Sequence, residues 1–277
     1  MTDPLLICTD LDRTLIPNGH QPESPGARER FARFVADPGV VLAYVSGRDE
    51  CLLREAIATY DLPRPDFAIG DVGTTIYRIE GSQWLPMTGW YREIAPDWAG
   101  HDHADLAVRL AGLDRLEPQE PAKQNTYKLS YFSPADIDAD ALVAAIQMRL
   151  DAAGVQASVI WSVDEMNDVG LVDVLPRSAT KMHAIRFLQS RLGIPTERTV
   201  FAGDSGNDLP ALTSDLPAVL VANARPEVRE AAGRLAHEHD TDRQLYFARG
   251  DFLGMNGNYA AGILEGIAHY HPETLAL

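Results

Sequence analysis

Two short apolar runs in distant parts of the chain each lead directly into a group of acids. Leu5-Leu-Ile-Cys8 ends in Thr9-Asp10-Leu-Asp12-Arg-Thr14, and Thr199-Val-Phe-Ala202 ends in Gly203-Asp204-Ser-Gly-Asn207-Asp208. A short apolar run bounded by polar residues reads as a strand buried on both faces, the strand type of a parallel sheet. If both strands share one sheet, four carboxylates converge on the edge where the strands end. At about 4 Å and an effective dielectric near 20, each like-charged pair costs on the order of 4 kcal/mol. Such a group calls for a divalent cation or a proton on one of the acids. Either acid pair alone is equally compatible with a turn or a helix cap.

The order of elements supports a parallel sheet. After the first run, Ser24 and Pro25 open a helix whose buried face is Phe31, Phe34 and Val35. Val40 to Val45 is a second buried strand, followed by Ser46-Gly47-Arg48 and a helix with Leu53, Ala56, Ile57 and Tyr60 at helical spacing. The pattern changes after Gly73. Trp84, Trp90 and Trp98 crowd a stretch broken by Gly and Pro, Tyr127 to Phe132 alternates like a half-exposed strand, and Asp140 to Asp151 reads as a helix. The buried-strand pattern returns at Leu171-Val-Asp-Val-Leu175. The expected organisation is therefore a discontinuous α/β core, residues 1–82 and 169–277, with an αβ insert over 83–168.

Length and composition agree. The 277 residues suit about two domains, and 45% hydrophobic residues fill a core in each. A net charge of −16, from 24 basic and 40 acidic residues, disfavours nucleic acid and acidic membrane surfaces as partners. The two cysteines, Cys8 and Cys51, form no disulfide framework or metal cluster. With no positively charged leader at Met1-Thr-Asp-Pro4 and no run long enough to span a bilayer, a cytoplasmic protein is expected.

The clustered acids suit a hard cation such as Mg²⁺, and the lack of His or Cys among them disfavours zinc. Ser46-Gly47-Arg48, between a strand and a helix, offers a hydroxyl and backbone N–H groups to a phosphoryl oxygen. Lys181, after Ser178 and Thr180, places one cation near the same phosphate. His101-Asp-His103 and His237-Glu-His239 match no metal-site spacing and read as solvated loops. Trp84, Trp90 and Trp98 read as core of the insert, with sugar stacking as the other use of such rings.

These four segments, in this order, resemble the haloacid dehalogenase (HAD) superfamily of phosphohydrolases. The first motif is Asp10-Leu-Asp12-Arg-Thr14, with Arg13 where Gly is frequent in that family. The second is Ser46-Gly47-Arg48, the third Lys181, and the fourth Gly203-Asp204-Ser-Gly-Asn207-Asp208. The resemblance implies a Rossmann-like parallel-sheet core with an inserted cap of the C2 type. It is closer still to the sucrose-phosphate phosphatases. Three segments carry this: Gln124-Asn125-Thr-Tyr-Lys128-Leu-Ser130-Tyr, Val172-Asp173-Val-Leu-Pro176, and Ala260-Ala-Gly-Ile-Leu-Glu-Gly-Ile-Ala-His269-Tyr.

That family implies a Mg²⁺-dependent phosphomonoesterase acting on a sugar phosphate, with sucrose 6-phosphate the first expectation. Asp10 is then the nucleophile and Asp12 the general acid and base. Asp10, the backbone carbonyl of Asp12, Asp204 and Asp208 hold the metal. Ser46, Gly47 and Lys181 hold the phosphate and Asn207 orients Lys181 or a water. Arg48, Gln124, Asn125, Lys128 and Ser130 meet the sugar. A sucrose-phosphate synthase is the implied protein partner; the oligomeric state stays open, and a monomer is compatible with it. Two other readings stand beside this one: a phosphatase for another ester, such as mannosylfructose phosphate or an amino-sugar or hexose phosphate, and a non-catalytic phosphatase-like binding module.

Overall fold

The computed structural model describes residues 4–164 and 167–274. Residues 1–3, on which the expected lack of a leader partly rests, lie outside them, as do 165–166 and 275–277. The chain divides into two compact units, Met1–Pro86 with Lys181–Leu277, and Met87–Thr180.

The first unit begins with β1 (Leu5–Thr9), α1 (Ala27–Val35), β2 (Val40–Val45), α2 (Glu50–Thr59), β3 (Phe67–Gly70), β4 (Thr75–Glu80) and β5 (Gln83–Pro86). The second unit comprises α3 (Thr88–Ile94), α4 (His103–Leu110), β6 (Glu117–Pro118), β7 (Leu129–Pro134), α5 (Ala139–Asp151), β8 (Ala157–Asp164) and β9 (Val169–Pro176). The first then resumes with α6 (Lys181–Leu192), β10 (Thr199–Gly203), α7 (Leu209–Leu212), β11 (Ala218–Leu220), α8 (Pro226–Glu238), β12 (Leu245–Phe247) and α9 (Ala260–Tyr270).

In the first unit the strands form one sheet in the order β12-β11-β10-β1-β2-β3-β4-β5. It is parallel from β12 to β3 and antiparallel through β4 and β5. Every residue of β1 and β10 is buried, as a strand covered on both faces requires. The chain runs outward from β1 through β2 and β3 to one side, and from β10 through β11 and β12 to the other. The strand order therefore reverses between β1 and β10, and the loops that leave them part to open a crevice at their carboxyl ends.

The insert is shifted from its expected bounds. Gln83–Pro86 pairs with β4 and so completes the core sheet. Val169–Pro176 pairs on both sides with strands of the second unit, β7 and β8, so the parallel core resumes at Lys181 and not at 169. Its first six residues alternate between half-buried and buried, the signature of a sheet covered on one face, and Asp173 is the break in the apolar run that signals it. Ser24 does not cap α1: the helix starts at Ala27 after Gly26 at φ 75°, and the Ser24 hydroxyl accepts a hydrogen bond from Asn256 N.

The second unit is an antiparallel sheet in the order β6-β7-β9-β8. Trp98, Leu106 and Ile146 pack against Leu129, Val172 and Val174 of that sheet. Trp90 and Trp98 are fully buried, whereas Trp84 lies on β5, its ring 5.5 Å from Tyr77 and under the Arg54 guanidinium at 4.7 Å.

Helix α9 lies against β11 at a distance only glycine permits. A Cβ on Gly266 would stand 2.1 Å from a methyl of Val219, and one on Gly262 would stand 2.2 Å from the Gly257 carbonyl oxygen. Gly266→Ala is therefore expected to destabilise the fold by about 1–3 kcal/mol through overpacking, read as a lower denaturant midpoint with an unchanged slope. A wild-type midpoint would show that the helix moves away freely.

Candidate active site

The crevice between β1 and β10 gathers the sequence motifs of the core. Asp10 leaves β1 with its N–H on the Ala202 carbonyl (2.9 Å), which fixes it beside the end of β10. Asp204 follows β10, and Asp208 folds back so that one carboxylate oxygen accepts from Asp204 N (3.2 Å) and Ser205 N (3.1 Å). Gly203 permits this return, since a Cβ there would stand 2.7 Å from the Asp208 carboxyl carbon. All three acids are buried, and one oxygen from each lies within 4.8 Å of the others.

Lys181, at the start of α6, donates to Asp10 Oδ1 and Asp208 Oδ1, both at 2.8 Å, and reaches Asn207 Oδ1 at 3.4 Å. Its burial disfavours the charge, but Asp10 and Asp208 more than offset that, and the pKa is raised. The Thr14 hydroxyl lies 3.2 Å from Asp204 and 3.5 Å from Asp10. Arg13 Nε approaches Asp204 at 3.5 Å.

One buried ammonium does not neutralise three buried carboxylates. Burial lifts the Asp10 pKa to about 7, with Asp208 and Asp204 adding to the rise and Lys181 opposing it. Asp204 rises to about 6, again through burial and then Asp208, against Arg13 and Thr14. This excess of oxygen donors and negative charge fits a hard divalent cation held by Asp10, Asp204 and Asp208. Among the described residues no other cluster of three such ligands occurs.

Asp12 is set differently. Its carboxylate receives a paired contact from Arg48, Nε at 2.8 Å and Nη2 at 2.7 Å, and a third hydrogen bond from Asn18 at 2.8 Å. Partial burial alone would raise its pKa, but the hydrogen bonds and charge of Arg48 hold it below the usual carboxylate range. Arg48, expected to meet substrate, is thus occupied by Asp12. Ser46 is buried and Gly47 exposed, and both line an open cavity of about 560 Å³ with Asp10, Asp12, Asp204 and Asn207. Helix α2 is capped by Asp49, which accepts from Leu52 N, so Ser46 and Gly47 belong to the loop before it.

The second unit holds the other expected site residues. Gln124 accepts from Ser130 N (2.8 Å) and donates to the carbonyls of Ser130 (2.7 Å) and Gln119 (3.1 Å). Its amide thereby braces the backbone of this unit. Ser130 donates toward Asp173, and the buried Lys128 ammonium lies 4.0 Å from the same carboxylate. Asn125 accepts from Tyr127 N at 2.8 Å, closing a turn. His103 lies 3.3 Å from Gln124 Oε1 and His101 lies 3.7 Å from Asp105. His237 and His239 sit at the exposed end of α8.

Sequence reasoning missed the bridging role of Thr14, the Arg13–Asp204 approach, the Arg48–Asp12 pair and Asp173. All of these residues stand inside the motifs given above, but the motifs do not specify which of them pair.

A parallel α/β core whose switch point gathers a motif of two aspartates, a lysine and a second acidic loop defines a phosphohydrolase of the HAD type. The chain belongs to the sucrose-6F-phosphate phosphohydrolase family, whose model matches residues 3–271, and is a phosphoric monoester hydrolase. It is 56% identical over its full length to a chain of Nitrosococcus oceani named only as a HAD-like hydrolase, covering 74% of that relative. It is 30% identical to the mannosylfructose-phosphate phosphatase of Agrobacterium fabrum, covering 96% of both chains. Among solved structures it is similar to the sucrose-phosphatase of Synechocystis in complex with sucrose and phosphate. That likeness has a TM-score of 0.71 and 28% identity, and covers 97% of this chain and 98% of the other.

The acid cluster gives a pH dependence that is opposite to that of most paired carboxylates. Asp10 and Asp204 have folded pKa values above the ordinary 3.8, so without metal the folded state binds more protons than the unfolded chain between about pH 4 and 7. Stability therefore falls as pH rises through that window. In EDTA, Tm is expected to rise on going from about pH 8 to about pH 6.5, and the slope should flatten with saturating Mg²⁺. Below that range His271, held under its ordinary 6.5 by burial and Arg198, works the other way. A Tm in EDTA that stays level or falls between those two pH values would mean that the acids remain ionised.

Proposed function

We propose that this protein is a Mg²⁺-dependent phosphatase that hydrolyses sucrose 6-phosphate to sucrose and phosphate through an aspartyl-phosphate. The observation that carries the chemistry is Asp10, held at 2.8 Å by Lys181 at the end of β1 with Asp12 beside it in the same cavity. Mg²⁺, held by Asp10, Asp204, Asp208 and the Asp12 carbonyl, would offset the repulsion between these acids and a phosphate dianion.

An oxygen of Asp10 forms a bond to phosphorus while the bond from phosphorus to the sugar oxygen breaks, and Asp12 gives that oxygen a proton. Water then attacks phosphorus, Asp12 takes its proton, and the Asp10–phosphate bond breaks to release phosphate. Lys181 fixes the orientation of Asp10, and Ser46 and Gly47 hold phosphoryl oxygens. Asp12 held by Arg48 is a carboxylate, the form required for the second half. For the first half it has to take up a proton and release Arg48.

The sugar is assigned to the second unit, where Lys128, Asn125 and Asp173 offer charge and hydrogen bonds, while Gln124 and Ser130 brace the strand that carries them. Likeness to both a sucrose-phosphatase and a mannosylfructose-phosphate phosphatase supports a disaccharide phosphate over a hexose phosphate.

Phosphate release from sucrose 6-phosphate is expected to exceed that from mannosylfructose phosphate and glucose 6-phosphate; preference for either of the others would reassign the substrate. Asp10→Asn should fold and bind metal more weakly but show no multiple turnover, because the amide is a far poorer nucleophile. Lys128→Met should lower kcat/KM for sucrose 6-phosphate more than for p-nitrophenyl phosphate, by about 1–3 kcal/mol for a charged hydrogen bond lost. Equal losses on both esters would make Lys128 a support of the fold.

A further inference from the structure

Arg13 stands at φ 61°, in the left-handed region where a side chain is disfavoured, immediately after the proposed acid and base Asp12. A strained residue beside a reactive group persists only when its surroundings hold it there. On one side Arg13 N donates to Ile16 O (3.1 Å) and to Asn18 Oδ1 (2.8 Å), and the same Asn18 donates to the Asp12 carboxylate. On the other side the Arg13 carbonyl accepts a hydrogen bond from Asn223 Nδ2 at 2.6 Å.

Asn223 is buried in the turn after β11, 210 positions along the chain from Arg13. Its oxygen accepts from Tyr259 N at 2.9 Å, and Tyr259 is itself at a positive φ of 50° and fully buried. One amide thus spans two strained backbone positions, one through its donor and one through its acceptor. The segment that ends in Tyr259 is tied to the chain beyond Arg13 as well. Asn256 Nδ2 and Asn258 Nδ2 donate to the Pro22 carbonyl at 2.9 and 3.0 Å, and the Tyr259 hydroxyl donates to the Gln21 carbonyl at 3.1 Å. The turn leading into α9, whose sequence resembles the sucrose-phosphate phosphatases but which contributes no group to the cavity, therefore acts on the loop that follows the nucleophile.

We propose that Asn223 is a positioning residue for Asp12: its Nδ2 donor fixes the corner at Arg13, and its oxygen anchors that corner to the turn before α9. This rests on the reading of Asp12 as the acid that protonates the leaving sugar oxygen. A displaced Asp12 penalises esters whose leaving group needs a proton and spares p-nitrophenyl phosphate, whose leaving phenolate needs little help.

The test compares Asn223→Ala and Asn223→Asp with wild type on sucrose 6-phosphate and p-nitrophenyl phosphate. Asn223→Asp keeps the shape and the acceptor for Tyr259 N but loses the donor, and it carries the comparison if the alanine variant does not fold. In both variants kcat/KM for sucrose 6-phosphate is expected to fall about 10- to 100-fold, the scale of a misplaced catalytic group, with a loss under about threefold on p-nitrophenyl phosphate. Hydrogen–deuterium exchange of a peptide covering 10–18 should rise in the same variants. Tyr259→Phe, which removes a hydrogen bond of the same anchor without touching Arg13, should lower Tm and keep the wild-type ratio between the two esters. Equal losses on both esters, or unchanged exchange in 10–18, would overturn the positioning role. A wild-type protein inactive on both esters but with faster exchange in the variants would instead overturn the phosphatase reading and leave the anchor standing.

Discussion

The repulsion among Asp10, Asp204 and Asp208 is the constraint that the first unit is arranged around. Three buried carboxylates with oxygens this close would not coexist as anions without a cation, and the protein supplies one in Lys181. That ammonium bridges the end of β1 and the loop after β10, so it joins the two motifs whose charges oppose each other. Because it does not cancel them all, the site keeps a deficit of positive charge that a divalent ion fits.

The sheet topology is what makes this concentration of charge possible. Adjacent parallel strands β1 and β10 send their chains in opposite directions at the switch point, so no backbone fills the crevice and the side chains that follow each strand meet in it. Close packing elsewhere sustains the arrangement. Gly203 lets Asp208 return onto its own loop, and Gly262 and Gly266 let α9 approach β11 closely enough to bring Tyr259 within reach of Asn223.

What the sequence made legible follows the range of the interactions involved. Acids at the ends of apolar strands are local signals, and the Asp10, Asp204 and Asp208 group could be read from them because parallel strands place their carboxyl ends together, whereas Lys181 opens α6 after a strand of the second unit. The limits of the insert could not be read as well. Gln83–Pro86 is too short to reveal its partner, and Leu171–Leu175 looks apolar enough for a core strand until Asp173 is taken as the sign of an uncovered face. Pairings such as Arg48 with Asp12, or Asn223 with Arg13, depend on side-chain directions that no spacing encodes. The amide of Gln124 carries the same lesson: a polar residue in a segment expected to meet a sugar satisfies the backbone beside it.

The Arg48–Asp12 pair sets a requirement that the rest of the site does not remove. A carboxylate held by two guanidinium contacts and an amide stays ionised and is poorly placed to donate a proton. The proposed route asks Asp12 both to give and to take a proton, so it requires Arg48 to release Asp12 in the first half. The backbone corner at Arg13, tied to Asn18 on one side and Asn223 on the other, is the fixed point from which Asp12 meets Arg48.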